Sequence, residues 1–312
     1  MDVFNDISEI KQAFNNPVVT IGNFDGVHKG HQAIFHQVIE KAESINGTSV
    51  AITFKPHPVK VLKKNDPPPL ITLHEQKVEL ITKTGMDVLI SIPFNKEFAA
   101  LTADQFLEDI LIDKIGTRAI VIGKDYAFGK NREGNISFLM KNADRLGYEV
   151  IVTDWIPASH EGEGRISSTR VREIVMAGDV EDAVALLGRQ YQIRGKVLTG
   201  RNRGGRLLGF PTANIKVVDE LCPKTGVYAV TVEYLDGFYK GVANIGYSPT
   251  FDDHLFTIEV HLLDFDKDLY GQDIRVNFIR RIRDEKKFSN IEELAAQIQK
   301  DIVTGREILS NF

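Results

Sequence analysis

A chain of 312 residues, 43% hydrophobic and 26% charged, has an ordinary globular composition and a length that suggests two domains. Its net charge of −5 argues against a nucleic-acid-binding surface but leaves room for small phosphate ligands, which need only a local cluster of donors. The single cysteine, Cys222, excludes an intramolecular disulfide and a cysteine-based metal cluster. With no secretory pattern and no run near the roughly 18 apolar residues of a membrane helix, a cytoplasmic protein without a membrane partner is expected.

The first half alternates short apolar runs with helical patterns. Strands are expected at 18–22 (VVTIG), 49–54, 87–94, 118–123 and 148–155, each β-branched and nearly continuous in apolar residues. A helix over 31–45 places Ile34, Val38, Ala42 and Ile45 on one stripe. Another over 102–116 opens with Thr102 and Gln105 at capping-box spacing and closes at Gly116. This alternation predicts a doubly wound, Rossmann-like α/β sheet.

The turn after the first strand, GNFDGVHKGH, stands where backbone N–H groups and a helix dipole attract anions. Gly22, Gly26 and Gly30 allow the backbone close to a phosphate, His28 and His31 are candidate donors to phosphate oxygens, and Asn23 and Asp25 add polar groups. Further on, RISSTRVREIV puts Ser168, Thr169 and Arg172 at a helix start, where hydroxyls, free amides and a guanidinium make a polyphosphate clamp; the same residues suit a plain helix cap. Arg170 points elsewhere and reads as a solvated charge.

From about residue 190 the pattern changes to shorter, often alternating strands, YQIRGKVLTG, GVYAVTVEYL, FYKGVANIG, FTIEVHLLDF and IRVNFIRRIR, with an Asp-Gly hairpin signal in YLDGFY. Only residues 290–309 read as a helix, with Ile291, Leu294, Ala295, Ile298 and Ile302 on one face. A small, mainly antiparallel barrel carrying a C-terminal helix is expected, with the domains at 1–186 and 187–312. The stretch GGRLLGFPTAN has glycines at 204, 205 and 209 suited to wrapping phosphates. Thr212 and Asn214 fall on one face of an extended segment, as ligands of a magnesium ion that also holds ATP phosphates, although Asn214 reads equally well as a turn residue.

Together these motifs resemble a known family. GNFDGVHKGHQ and ISSTRVR are similar to the H-x-G-H and I-S-S-T-x-x-R signatures of nucleotidyltransferases, and FKPHP, PFNKEFAALTADQFLEDIL and VIGKDYAFGKNREG extend the likeness. GFPTAN resembles a flavokinase signature, followed in order by GVYAV, GVANIGYSPTF, IEVHLLDFDKDLYG and RIRDEKKF. The chain thus resembles the bacterial bifunctional riboflavin kinase/FAD synthetases from about residue 15 to 308. The resemblance implies phosphorylation of riboflavin to FMN with ATP and Mg2+, then adenylylation of FMN to FAD with release of pyrophosphate.

It further implies that Gly22–Gly26 (Phe24 included), Gly30, Ser168 and Thr169 bind ATP, with His28, His31 and Arg172 catalytic and His57 and Asp125 lining that site. In the kinase it implies Glu259 as general base and Thr212 and Asn214 as metal ligands. Gly205, Arg206, Gly209, Pro211, Thr212 and Tyr270 would be near the nucleotide, and Asn244, Ile245, Gly246 and Arg283 near the flavin. The loop LTGRNRGGR is one residue longer than the usual pattern, leaving open which of Arg201, Arg203 and Arg206 approaches the nucleotide. The partners expected are small molecules, and the protein a monomer or weak homo-oligomer. The other readings are an enzyme with only the kinase active, an adenylyltransferase acting on another phosphate, and a flavin sensor without turnover.

Overall fold

In the computed structural model the apolar runs of the first half form parallel strands, because such strands are covered on both faces and have no polar side to show. The structure describes all residues except 64–66, 158–163, 199–209, 218, 236 and 248–255. Strands β1 (Asp2–Phe4), β2 (Val18–Ile21), β3 (Ser49–Lys55), β4 (Val88–Pro93) and β5 (Ala119–Gly123) come first. A small hairpin of β6 (Ala127–Phe128) and β7 (Gly134–Asn135) follows, and then β8 (Glu149–Thr153). The main sheet runs β1-β4-β3-β2-β5-β8, all parallel. Its order reverses between β2 and β5, and the crevice at such a switch point, at the carboxyl ends of the strands, is where open α/β sheets bind ligands.

Helices cover both faces. On one side α1 (Lys29–Ser44) sets Phe35, Val38 and Ala42 against Val18, Ala51, Leu89, Ala119 and Val121. The short α2 (Pro58–Leu62) follows, then α3 (His74–Thr82), whose Ile81 joins the same cluster, while α4 (Lys96–Ala99) packs Phe98 against the cluster on the other face. On the opposite face lies α5, which begins as an α-helix at Ala103–Gln105 and continues as a π-helix over Phe106–Ile115. Both halves of the expected capping box form at its start, and Gly116, at φ 80°, ends it. Phe106, Leu107, Leu111 and Ile115 are all buried, and the wider turn keeps these residues, four and five apart, on one face. Helix α6 (Ile136–Leu146) completes this layer.

One expectation needs correcting in this half. Helix α1 starts at Lys29 rather than 31, because the His28 side chain caps it, so His31 stands inside the first turn. The three-residue edge strand β1 carries too little pattern to be read from sequence.

Helices α7 (Ser168–Ala177) and α8 (Val180–Leu187) precede the strands of the second half. These are β9 (Tyr191–Leu198), β10 (Ala213–Lys216), β11 (Gly226–Tyr234), β12 (Gly237–Tyr247), β13 (Phe256–Leu262) and β14 (Asp273–Arg283). They close an antiparallel barrel in the order β10-β13-β12-β11-β14-β9. Tyr191, Tyr228 and Phe278 are fully buried. Helix α9 (Ile291–Ile308) lays Ile298 and Ile302 over Val227, Val242 and Leu263. Ile291, expected on the buried face, is exposed. The β11–β12 hairpin forms as expected, with Tyr234 paired to Gly237 and Leu235 at a positive φ of 50°.

By contacts, the chain divides into compact units Met1–Ser168 and Thr169–Phe312, which sets α7 and α8 with the barrel. Among the described residues no helix is long and apolar enough to cross a membrane. Phe35 has no exposed surface, and its ring meets Phe24 at 4.8 Å between centroids. Phe35→Ala is expected to cost about 3–5 kcal/mol, read as a lower urea midpoint for the first unit.

Candidate active sites

In the first unit the chain leaves β2 at Gly22, turns through Phe24 and Val27 at φ values of 47° and 41°, and enters α1. Gly26, at φ 87°, is the position where glycine is needed, since a side chain there would also press on Ile71. The Asp25 carboxylate is buried and accepts hydrogen bonds from Ile71 N (3.1 and 3.2 Å) and Thr72 N (3.1 Å). Gly26 N donates to Thr72 Oγ1, and Ser168 Oγ donates to the Asp25 carbonyl at 2.9 Å. Asp25 therefore braces the turn, and its carboxylate faces the 71–72 segment.

His28 is 5% exposed, and its Nδ1 accepts from His31 N at 3.3 Å. The two imidazoles stack with centroids 3.6 Å apart, and Phe24 stands edge-on to His31 at 5.3 Å. Gly30 leaves room for this stack, since a Cβ there would sit 3.1 Å from the His28 ring. His31 Nδ1 is buried without a hydrogen-bond partner among the described residues. Its pKa lies well below the ordinary imidazole value of 6.5, first through burial, then through the nearby charges of His28 and Lys77. The N–H groups of Phe24, Lys29 and Gly30 also make no hydrogen bond within the described residues. The stacked imidazoles, the unbonded amides and the positive end of a 16-residue helix together form a receptor for an anion.

Lys77, on α3, was not singled out from sequence. It is 5% exposed, and its ammonium donates to the Asn23 carbonyl at 2.7 Å and meets Thr53 Oγ1 at 3.4 Å. Burial lowers its pKa to about 8 against the pull of Asp25. Only the folded packing of α3 beneath the turn reveals it.

The other predicted residues of this unit lie at the carboxyl ends of the strands. His57 caps α2 through Val59 N at 3.2 Å, and Asp125, just beyond β5, pairs with Arg165 at 2.9 Å. The Arg165 guanidinium lies 4.8 Å over the half-exposed Trp155 ring. Phe54, Phe94 and Phe98 form a run of ring contacts at 5.5–5.8 Å near the ends of β3 and β4. Tyr126 stacks on Phe128, its buried hydroxyl has no partner among the described residues, and burial raises its pKa. Ser168, Thr169 and Arg172 share the first turns of α7, with Ser168 the last residue of the first unit and Thr169 and Arg172 in the second.

In the barrel the register aligns the predicted residues. Asn214 on β10 pairs with Glu259 on β13, which pairs with Asn244 on β12, then Val227 on β11 and Arg283 on β14. Directly opposed residues of antiparallel strands share a face, so one row carries Asn214, Glu259, Asn244 and Arg283. Their neighbours Ala213, Ile215, Ile258, Val260 and Ile245 are buried, whereas Asn214, Glu259 and Asn244 are half-buried. The row therefore lies on the outer face of the barrel, and Ile245, predicted near the flavin, belongs to its core.

The Glu259 carboxylate accepts no hydrogen bond from a described residue, and burial raises its pKa above the ordinary 4.5. Arg283 is committed to Asp301 of α9 through bonds of 2.7–3.0 Å and donates to the Asp284 carbonyl. His261, two residues after Glu259, contacts the Pro211 carbonyl through Nδ1 at 2.8 Å and holds the Pro211–Asn214 segment to β13. Like Glu285, whose carboxylate would meet a Cβ on Gly246 at 2.6 Å, His261 was not foreseen as part of the site. Tyr270 N bonds the Asp268 carboxylate at 2.9 Å. Gly205, Arg206 and Gly209 lie outside the described residues.

Comparison with known proteins now bears on both sites. Residues 10–170 match the family model of FAD synthetase, and residues 187–309 match that of riboflavin kinase. The chain belongs to the bifunctional riboflavin kinase/FMN adenylyltransferase family. A relative of that name from Haemophilus influenzae is 36% identical, covering 100% of both chains. One from Escherichia coli K12 is 38% identical over 93% of this chain and 92% of its own. A crystal structure from Streptococcus pneumoniae, described as a macrolide-efflux protein, is 32% identical, covers 97% of this chain and 98% of its own, and superposes with a TM-score of 0.86.

The depressed histidine makes the fold acid-sensitive. Below pH 6.5 the unfolded chain binds a proton at His31 that the folded chain refuses, so stability falls as pH drops through that value. His74, lowered to about 4 chiefly by burial, adds a second loss over pH 6.5 to 4. Urea midpoints measured from pH 8 to 4 are expected to fall, and the slope to flatten in His31→Asn.

Proposed function

We propose that this chain phosphorylates riboflavin to FMN and then adenylylates FMN to FAD, each step consuming one ATP. The observation that carries the reading is the pair of receptors, one unbonded-amide and imidazole cradle after β2 and one row of Asn214, Glu259 and Asn244 on the barrel, in a chain of this family. The two activities are assigned to residues 1–186 and 187–312.

In the kinase step Glu259 takes the proton of the riboflavin 5′-hydroxyl while that oxygen attacks the γ-phosphorus and ADP leaves. Its raised pKa suits the task, because a stronger base holds the proton better. The neutral oxygens of Asn214 and Thr212, beside the Glu259 carboxylate, fit a hard cation such as Mg2+. When bound, that ion neutralises charge on the ATP phosphates. Among the described residues no cluster of three or more His, Cys, Asp or Glu offers a competing all-protein metal site. His261 positions Pro211, and so the segment carrying both ligands.

In the second step an oxygen of the FMN phosphate attacks the α-phosphorus of ATP, and pyrophosphate leaves. No side chain here is suited to a covalent intermediate, so the work is positioning and stabilisation of charge. The cradle of Phe24, Lys29 and Gly30 amides holds phosphate oxygens, His28 and His31 donate as charge builds, and Ser168, Thr169 and Arg172 hold the rest of the polyphosphate. Phe54, Phe94 and Phe98 supply an aromatic surface for the isoalloxazine, with His57 and Asp125 at the edges. A cytoplasmic monomer or weak homo-oligomer suffices for this chemistry.

Incubating the protein with riboflavin, excess ATP and Mg2+ is expected to give FMN first and FAD later on chromatography; FMN as the end product would leave the first unit without the assigned role. His28→Ala is expected to lower FAD formation by about 10²–10³ with riboflavin phosphorylation unchanged. Glu259→Gln reverses the pattern, slowing FMN formation by about 10²–10⁴ while FMN supplied directly is still converted to FAD. The wild-type kinase rate loses activity on acidification at a pH above the ordinary carboxyl value of 4.5, following Glu259.

A further inference from the structure

The buried ammonium beneath the phosphate turn has no part in the chemistry described so far. Lys77 lies on α3, three residues into the helix from His74, and directs its ammonium to the carbonyl of Asn23 at 2.7 Å. The same carbonyl accepts from Thr53 Oγ1 at 3.2 Å, so two donors from two elements pull it inward. A trans peptide is planar, and its C=O and N–H point in opposite directions. Drawing the Asn23 carbonyl toward the core therefore turns the Phe24 N–H outward, and that N–H has no partner among the described residues.

We propose that Lys77 is a positioning residue for adenylyl transfer: it fixes the Asn23–Phe24 peptide so that the Phe24 amide, with the Lys29 and Gly30 amides of α1, faces the phosphates. This rests on the reading of the first unit as an adenylyltransferase. A lysine suits the role better than a neutral donor. Its charge-assisted bond resists rotation of the peptide when a polyanion approaches from outside. Asp25, two residues along the turn, supplies the nearby negative charge that makes a buried ammonium tolerable. Neither Lys77 nor Thr53 needs to touch substrate, because the peptide carries their effect.

The test compares the full-length protein with Lys77→Met, Lys77→Arg and Thr53→Val. FAD formation is assayed from FMN and ATP, and FMN formation from riboflavin is the internal control. Trp155, the single tryptophan of the chain, lies in the first unit and reports its unfolding. Lys77→Met is expected to lower kcat for FAD formation about 10- to 100-fold, with the KM for FMN within about twofold and kinase activity intact. Lys77→Arg recovers part of kcat, because a cationic donor is restored. Thr53→Val removes one of the two bonds to the carbonyl at nearly constant volume and lowers kcat several-fold.

Wild-type kcat in a folded Lys77→Met protein overturns the proposal. Should the fluorescence show Lys77→Met unfolded, Thr53→Val decides alone, and an unchanged kcat there overturns it equally. A wild-type protein that makes FMN but no FAD overturns the reading of the first unit, and this proposal with it.

Discussion

The first unit depends on one buried carboxylate. Asp25 accepts backbone N–H groups of Ile71 and Thr72, and through them joins the turn after β2 to the segment leading into α3. A buried carboxylate is costly unless its oxygens are satisfied, so the geometry around it is narrowly prescribed. That constraint places α3, and with it Lys77, under the turn. It also places the Asp25 carbonyl where Ser168 can bond it, which ties the start of α7 to the same point. The histidine pair, the amide cradle and the Ser168 hydroxyl inherit their positions from this joint.

The barrel solves its problem by register instead. A closed antiparallel sheet fixes which residues stand side by side, and one cross-strand row brings Asn214, Glu259 and Asn244 together from three separate strands. Alternation sends these polar residues outward while Ile215, Ile258 and Ile245 fill the interior. At the far end of the row Arg283 is locked to Asp301, which anchors α9 across the neighbouring strands. A one-residue slip of β13 would turn Glu259 into the core, so the apolar alternation that stabilises the barrel also guards the position of the base.

Much of this was legible in the sequence, for identifiable reasons. The apolar strands at 18–22, 49–54, 87–94, 118–123 and 148–155 were readable because two-sided burial removes alternation, and the capping box at Thr102 because it is a local device. His28, His31, Asn214 and Glu259 were found by motif and resemblance, and β-pairing then showed why Glu259, one strand carboxylate among several, stands beside Asn214. What escaped was non-local. Lys77 reads as an ordinary helix lysine until Asn23, 54 residues earlier, is packed against it. His261 reads as a strand residue until it meets Pro211. The π-turns of 106–115 and the pairing of Tyr234 with Gly237 arise from packing and twist, which local patterns do not encode.

The stacked histidines have one more consequence. Two imidazoles 3.6 Å apart cannot both carry a proton cheaply, and burial already disfavours a charge on His31. Burial therefore keeps His31 uncharged in the resting protein, and a polyphosphate arriving beside its ring favours the protonated form. Nucleotide binding then draws hydrogen ions from solution. The heat of nucleotide association is then expected to vary with the ionisation enthalpy of the buffer.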